Sequence, residues 1–122
     1  MGMNEVKLAQ KVMQMGAFTS VFTPKPAQGK ATVLLGQEAT LLQTMEDCSE
    51  LASACNQYRR TALMKGQPTS KTPDEALDNL KGELVDAIIC IKELIMILGI
   101  DYDDLEKIER RKTDRTVRRM GL

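Results

Sequence analysis

Histidine and tryptophan are absent from this 122-residue chain, and aromatic residues make up only 3% of it. Without histidine there is no imidazole to act as a general base or a metal ligand, so these tasks fall to carboxylates. The shortage of aromatic side chains also leaves the basic C-terminal tail without a nearby platform on which nucleic-acid bases could stack. We therefore expect any functional site in this chain to be built mainly from Asp and Glu.

A net charge is also missing, because 17 Lys and Arg residues are balanced by 17 Asp and Glu residues. A neutral chain has no overall field that would attract nucleic acid or an anionic membrane surface. Nucleic acid is therefore disfavoured as a partner, and we expect anion binding only at local clusters of cations.

Cysteine is scarce, and the three residues Cys48, Cys55 and Cys90 form no CxxC pair. An odd number of thiols without that spacing predicts neither a disulfide framework nor a zinc site. We interpret all three as reduced residues that pack among apolar neighbours. Because Met1 to Met15 also lacks the apolar stretch of a signal peptide, we expect a cytoplasmic protein.

A long uncharged hydrophobic run is missing as well. The longest nearly apolar segment, Leu84 to Ile100, contains Asp86, Lys92 and Glu93. Three charges would be costly in lipid, so this segment is predicted to be a core helix and no membrane association is expected.

Apolar residues amount to 43% of the chain. They are mainly Leu, Ile, Met and Ala, which favours an all-α helical bundle. Residues 1–30 are predicted to form a short helix, Asn4 to Met15, and then a loop or arm from Ser20 to Lys30 that contains Pro and Gly. Residues 31–122 are predicted to form the helical domain.

Three longer helices are expected in that domain. The first runs from Thr32 to Arg60, because one apolar stripe continues over many turns. This stripe consists of Leu34, Leu35, Leu41, Leu42, Met45, Cys48, Ala52 and Cys55. The second helix begins at Pro73, where Thr72 and Glu75 form a capping box, and it ends near Gly99. The last helix begins after Asp101 and reaches Met120.

The second helix is apolar on nearly all sides between Leu84 and Leu98. One or two other helices of a small chain cannot enclose such a helix completely, so the surplus apolar surface predicts a homo-oligomer, either a dimer or a tetramer. The alternative is a monomeric bundle with a few exposed isoleucines.

Five carboxylates stand out on the two central helices: Glu46, Asp47 and Glu50 on the first, and Glu83 and Asp86 on the second. Residues three apart share one face of a helix, so each helix offers an acidic pair. Oxygen ligands without His or Cys suit a hard cation, in particular Mg²⁺, with Mn²⁺ as a second possibility. Solvated acidic faces are the alternative interpretation of the same spacing.

The pattern Glu46-Asp47-x-x-Glu50 followed by Glu83-x-x-Asp86 resembles the EExxE…ExxD signature of the MazG-like all-α nucleoside triphosphate pyrophosphohydrolases. The resemblance covers roughly Gln37 to Arg111. It implies an oligomeric helical bundle that uses Mg²⁺ to hydrolyse a nucleoside or deoxynucleoside triphosphate to the monophosphate and pyrophosphate.

The resemblance also implies residue roles. Asp47, Glu50, Glu83 and Asp86 would be the metal ligands, and Glu46, Asp47 and Glu50 would form the catalytic group, with Glu46 orienting water. Two features depart from the family pattern. Asp47 stands where the family usually has Glu, and the interval from Glu50 to Glu83 is longer than in many members.

The last helix carries Lys107-Ile108-Glu109-Arg110-Arg111, which is similar to a Lys-Phe-x-x-Arg element in part of that family. Lys107 and Arg111 lie four residues apart on one helical face and are predicted to bind the substrate phosphates. A solvated basic tail is the alternative.

The apolar neighbours of Asp86 predict that it is the most embedded of the acids. A rival function for the whole chain is a non-catalytic helical module for oligomerisation or interaction. A second rival is a phosphatase that removes terminal phosphates.

Overall fold

The fold is all-helical wherever the chain is described. The computed structural model describes Lys7, Phe22, residues 24–64 and residues 69–122. Helix α1 spans Pro26–Tyr58 and continues into a π-helical turn, Arg59–Leu63; α2 spans Pro73–Ile97 and α3 spans Tyr102–Arg119. These residues contain no strand, which confirms the predicted all-α class. Apart from Lys7, the helix predicted from Asn4 to Met15 lies outside the described residues.

The chain divides into two compact units. One unit comprises residues 24–101 and contains α1 and α2, and the other comprises residues 1–23 and 102–122 and contains α3. Within the second unit the Tyr102 hydroxyl donates a hydrogen bond of 2.9 Å to the backbone oxygen of Phe22. None of the described helices is both long and apolar enough to cross a membrane.

Helix α1 begins earlier than the sequence predicts. Residues 26–30 are helical, whereas the Pro and Gly content predicted a loop or arm up to Lys30. Pro26 stands in the first helical turn, where a missing N–H costs nothing, and Gln28 Oε1 accepts a hydrogen bond of 2.8 Å from Lys25 N. A Cβ atom at Gly29 would lie 3.2 Å from Met96 Sδ, so this glycine allows α1 to approach α2 closely.

A kink interrupts α1 at Gly36, whose φ of 85° and ψ of 176° are not helical. A positive φ is accessible to glycine at little cost because glycine has no Cβ. The helix therefore consists of two segments, before and after this residue. The Thr40 hydroxyl donates to the Gly36 carbonyl oxygen, 2.8 Å away, and so provides a partner for that oxygen beside the kink.

Both ends of α2 agree with the sequence signals. Thr72 Oγ1 accepts a hydrogen bond from Glu75 N at 3.2 Å, and Glu75 Oε1 accepts one from Thr72 N at 3.3 Å. This is the predicted capping box, in which two backbone N–H groups at the helix start receive partners. Gly99 follows the helix with a φ of 63°, the left-handed conformation that ends many helices.

Helices α1 and α2 form an antiparallel pair, since Gln37 contacts the carbonyl of Ile97 while Asp47 contacts Cys90. After the kink, the least exposed residues of α1 recur at alternating spacings of four and three, as in a coiled coil. On α1 this seam consists of Thr40, Thr44, Asp47, Leu51, Ala54 and Tyr58. On α2 it consists of Ala76, Leu80, Glu83, Ala87, Cys90, Leu94 and Ile97. Most of its fully buried members are small, which allows the two helices to pack closely.

The apolar stripe that predicted α1 does not lie in this seam. Its large members are exposed, with Met45 at 68% and Leu34 at 87% of their surface accessible. On α2, Leu84 and Val85 are exposed as well, so the expected enclosure of this helix is incomplete in the single chain. The spacing identified a helix correctly, but the small and polar residues form the contact with α2.

The capping box yields a first prediction. Replacing Thr72 by Ala removes the acceptor of Glu75 N and should lower the free energy of unfolding by about 1 kcal/mol, whereas Thr72→Ser keeps the hydroxyl and should cost much less. Urea unfolding followed by circular dichroism measures both changes. Equal stability of the Ala and Ser variants would show that the hydroxyl contributes nothing.

Candidate functional site

Asp47 is the most buried acid of the central helix pair. Only 9% of its surface is exposed, because the seven-residue repeat from Thr40 to Ala54 places it in the seam. The Cys90 thiol donates a hydrogen bond of 2.7 Å to Asp47 Oδ2, and Gln43 Nε2 donates one of 3.2 Å to Oδ1. Both carboxylate oxygens therefore have a partner within the protein.

The Cys90 thiol is a hydrogen-bond donor and is not activated as a nucleophile. Burial raises its pKa to about 12, with further contributions from the hydrogen bond to Asp47 and from the charges of Asp47 and Glu93. A thiol with this pKa stays protonated at neutral pH. Cys90 is thus buried as predicted, whereas Cys48 and Cys55 are exposed, contrary to the prediction that all three cysteines pack among apolar neighbours.

A second pair of acids, Glu50 of α1 and Glu83 of α2, meets across the same helix pair. Although most of Glu50 is exposed, desolvation of its carboxyl group raises its pKa, and the charges of Glu83, Glu46 and Asp47 raise it further. A hydrogen bond with the Glu83 side chain also raises the Glu50 pKa. Two neighbouring carboxylates repel each other unless a proton or a cation lies between them.

The Glu83 carboxylate has one oxygen without a partner. Its Oε2 atom is buried, and no hydrogen-bond partner for it is found among the described residues. An unsatisfied buried oxygen of this kind costs free energy unless water or a cation contacts it. Glu83 occupies this position because it stands seven residues after Ala76 and four before Ala87 in the seam.

Glu93 belongs to the same acidic region, which sequence reasoning missed. Burial raises its pKa and the negative charge of Asp47 raises it further. From the sequence alone, Glu93 served only as a charge that argues against a membrane span. Its position three residues after Cys90, on a helix already carrying Glu83 and Asp86, was the available signal.

Asp86 is exposed, and the prediction that it is the most embedded acid is wrong. Ala87 and Cys90 occupy the seam instead, so Asp86 lies on its flank, and Asp47 is the buried acid. The pairing of Asp47 with Cys90 sets a register in which Asp86 lies on the same flank as Glu50. Glu46 is exposed on α1, and its charge reaches Glu50.

The fit of a hard cation can be judged from these acids. Over the part of the chain that the structure describes, no group of three or more Asp, Glu or Cys side chains is arranged to hold a metal ion. Glu50 and Glu83 nevertheless supply oxygen donors, a mutual repulsion that a cation would relieve, and the unpartnered Glu83 Oε2. These two residues fit Mg²⁺ if water and substrate oxygens complete its shell. Asp47 could bind the ion only after its hydrogen bonds with Cys90 and Gln43 are broken.

An open groove of about 520 Å³ adjoins this pair of acids. All but one of its described lining residues have polar side chains, which comprise two carboxylates, one guanidinium group, three carboxamides and two hydroxyl groups. The groove is lined by Ser49, Glu50, Ser53, Ala54, Asn56, Gln57, Arg60, Asn79 and Glu83. A ligand with a metal-bound, anionic part would find complementary groups here.

Lys107 and Arg111, predicted to bind phosphates, are exposed on α3 in the other compact unit. Both line a shallow groove along that helix together with Asp104 and Asp114. The four-residue spacing does place them on one face, as expected. Their role toward a phosphate chain stays a prediction.

The raised pKa values lead to a prediction about the metal-free protein. A carboxyl group whose pKa is raised by folding stabilises the fold below its ordinary pKa of 4.5, and this contribution is lost as the pH rises through the folded-state value. Glu50→Gln should therefore be more stable than the wild type at pH 7, and this difference should shrink as the pH falls toward 4.5.

Thermal melts in EDTA from about pH 4, near the ordinary carboxyl pKa, up to about pH 8 measure this difference. Glu38→Gln is the matched control, because it removes one exposed carboxylate from the same helix. An identical pH dependence of the two variants would show that Glu50 is not under repulsion.

Comparison with protein-family profiles, curated proteins and solved structures gives no match to this chain.

Proposed function

We propose that this chain is a Mg²⁺-dependent nucleoside triphosphate pyrophosphohydrolase that converts an NTP or dNTP to the monophosphate and pyrophosphate. The observation that carries the proposal is the meeting of Glu50 and Glu83 beside a polar groove, with Glu83 Oε2 buried and unpartnered. A divalent cation with its bound phosphates is a ligand that would satisfy this oxygen.

The motif resemblance supports the same function. Glu46, Asp47 and Glu50 come from its first half and Glu83 from its second, and these acids influence one another through the α1–α2 pair. A MazG-like fold and cytoplasmic location are proposed with the activity. The exposed, unpaired Cys48 and Cys55 suit a reducing compartment.

In the proposed mechanism, Glu50 and Glu83 would hold Mg²⁺, with Asp86 as a further ligand from the exposed flank. The ion, for which Mn²⁺ could substitute, would supply Lewis-acid polarisation of the phosphate oxygens and of the attacking water when bound. Glu46, an exposed carboxylate beside Glu50, accepts the proton of that water. Asp47 is held by Cys90 and Gln43, so its primary contribution is to position the neighbouring acids, and ligation would require an exchange of partners.

The test is Mg²⁺-dependent release of pyrophosphate from a panel of ribo- and deoxyribonucleoside triphosphates. Glu83→Gln removes a charged ligand and should lower turnover by at least about a hundredfold, while Glu38→Gln should leave turnover unchanged. Orthophosphate as the product would favour the phosphatase alternative. No turnover with any nucleotide would contradict the proposal.

The second candidate function is a helical oligomerisation module, which is favoured by the exposed stripe of α1. Leu41, Leu42 and Met45 are exposed on a helix whose opposite side packs on α2. A second copy of the chain could cover these residues, and a homo-oligomer is proposed for either function.

Light scattering at micromolar concentration should then give a dimer or tetramer. Met45→Lys places a charge within the stripe and should shift the protein toward monomer, by at least about tenfold in the dissociation constant if the residue is desolvated in the contact. Thr113→Lys adds the same charge on exposed α3 and should have no such effect. A wild-type monomer would contradict the oligomer proposal.

A further inference from the structure

We infer that Arg60 binds the phosphate chain of the substrate in the groove beside Glu50 and Glu83. This inference rests on the proposed function and adds a residue that the sequence motifs do not include. Arg60 is half-buried at the start of the π-helical turn that follows α1. Among the described residues that line the groove it is the one cation, and it gives that surface a positive charge.

The two charged ends of the groove, at Glu50 and at Arg60, are far apart along the helix. Glu50 and Arg60 are ten residues apart, which corresponds to about 15 Å along a helix axis at about 1.5 Å per residue. Both residues nevertheless line the same groove. A phosphate chain that binds a cation at Glu50 and Glu83 can therefore extend toward Arg60.

Arg59, next to Arg60, orients the Asn56 carboxamide as a second hydrogen-bond donor. Arg59 donates hydrogen bonds from Nη2 and Nε to Asn56 Oδ1, at 2.8 and 3.3 Å. Because arginine only donates, the oxygen of the Asn56 carboxamide must face Arg59, and its NH₂ group is left to serve as a donor. Asn56 lines the groove, where such a donor suits phosphate oxygens.

The negative charge of a triphosphate explains why a cationic side chain is useful at the Arg60 end of the groove. A divalent ion neutralises only part of the charge of a triphosphate, and a planar guanidinium group can form two parallel hydrogen bonds to phosphate oxygens. The described residues that line the groove include no aromatic side chain on which a base could stack. The inferred ligand of this surface is therefore the phosphate chain.

The experiment is calorimetric titration of the full chain with inorganic tripolyphosphate in the presence of Mg²⁺, together with nucleotide hydrolysis. Arg60→Gln should weaken tripolyphosphate binding at least about tenfold, on the scale of a lost charge-assisted hydrogen bond, and Arg60→Lys should retain part of the affinity. Lys81→Gln is the matched control, because Lys81 is an exposed cation of α2 that lies outside the groove lining. It should bind like the wild type.

A second variant keeps the inference testable if Arg60→Gln fails to fold. Asn56→Asp removes the amide donors and adds a negative charge, so it too should weaken tripolyphosphate binding at least about tenfold. Circular dichroism establishes which variants are folded. Unchanged binding in either folded variant would overturn the inference.

The outcomes separate the inference from the proposed function. Wild-type hydrolysis with unchanged tripolyphosphate affinity and KM in Arg60→Gln would overturn the role of Arg60 and leave the function standing. A loss of binding in Lys107→Gln or Arg111→Gln without any loss in Arg60→Gln would overturn it as well. A wild-type protein that neither binds tripolyphosphate nor hydrolyses nucleotides would overturn both.

Discussion

The close packing of α1 against α2 is the constraint on which the acidic site depends. Buried seam residues such as Ala54, Ala76 and Ala87 are small, so the two helices approach each other closely at these positions. The same approach withdraws the carboxyl groups of Asp47 and Glu83 from water. A helix pair separated by leucines and isoleucines would leave more room for solvent around those groups.

The fold stabilises these acids to different degrees. Asp47 is stabilised by two hydrogen bonds within the protein, whereas Glu83 has one oxygen without a partner. Glu50 and Glu83 repel each other unless a proton or cation lies between them. Such local instability is common where a protein binds a ligand, because the ligand supplies the stabilisation that the free protein lacks.

Local sequence signals predicted local structure well. Thr72, Pro73 and Glu75 defined the start of α2, and Gly99 defined its end, because capping depends on residues only a few positions apart. The start of α1 was predicted too late. Its Pro and Gly residues suit a helix start and a close helix contact as well as they suit a loop, and the contact of Gly29 with Met96 is not visible in the sequence.

The candidate site was predictable only in outline. A three-residue spacing identifies a shared helical face, but it does not state which face meets the partner helix. The apolar neighbours of Asp86 likewise predict burial although Ala87 lies in the seam, and the burial of Asp47 depends on an α1–α2 register set across 43 residues of sequence. Arg60 is connected to Glu83, and Glu93 to Asp47, only once the two helices are placed side by side.

The contact between Cys90 and Asp47 also determines how far the two helices can slide past each other. The hydroxyl groups of Thr40 and Thr44 donate to carbonyl oxygens four residues earlier in their own helix, so they do not select a partner on α2. Sliding by one heptad would bring Asp47 opposite Glu83 or Ile97, and neither a carboxylate nor an alkyl group can donate to it. Cys90 is the one residue in the α2 seam with a proton to give at neutral pH, and a single thiol therefore selects one alignment of an otherwise repetitive interface.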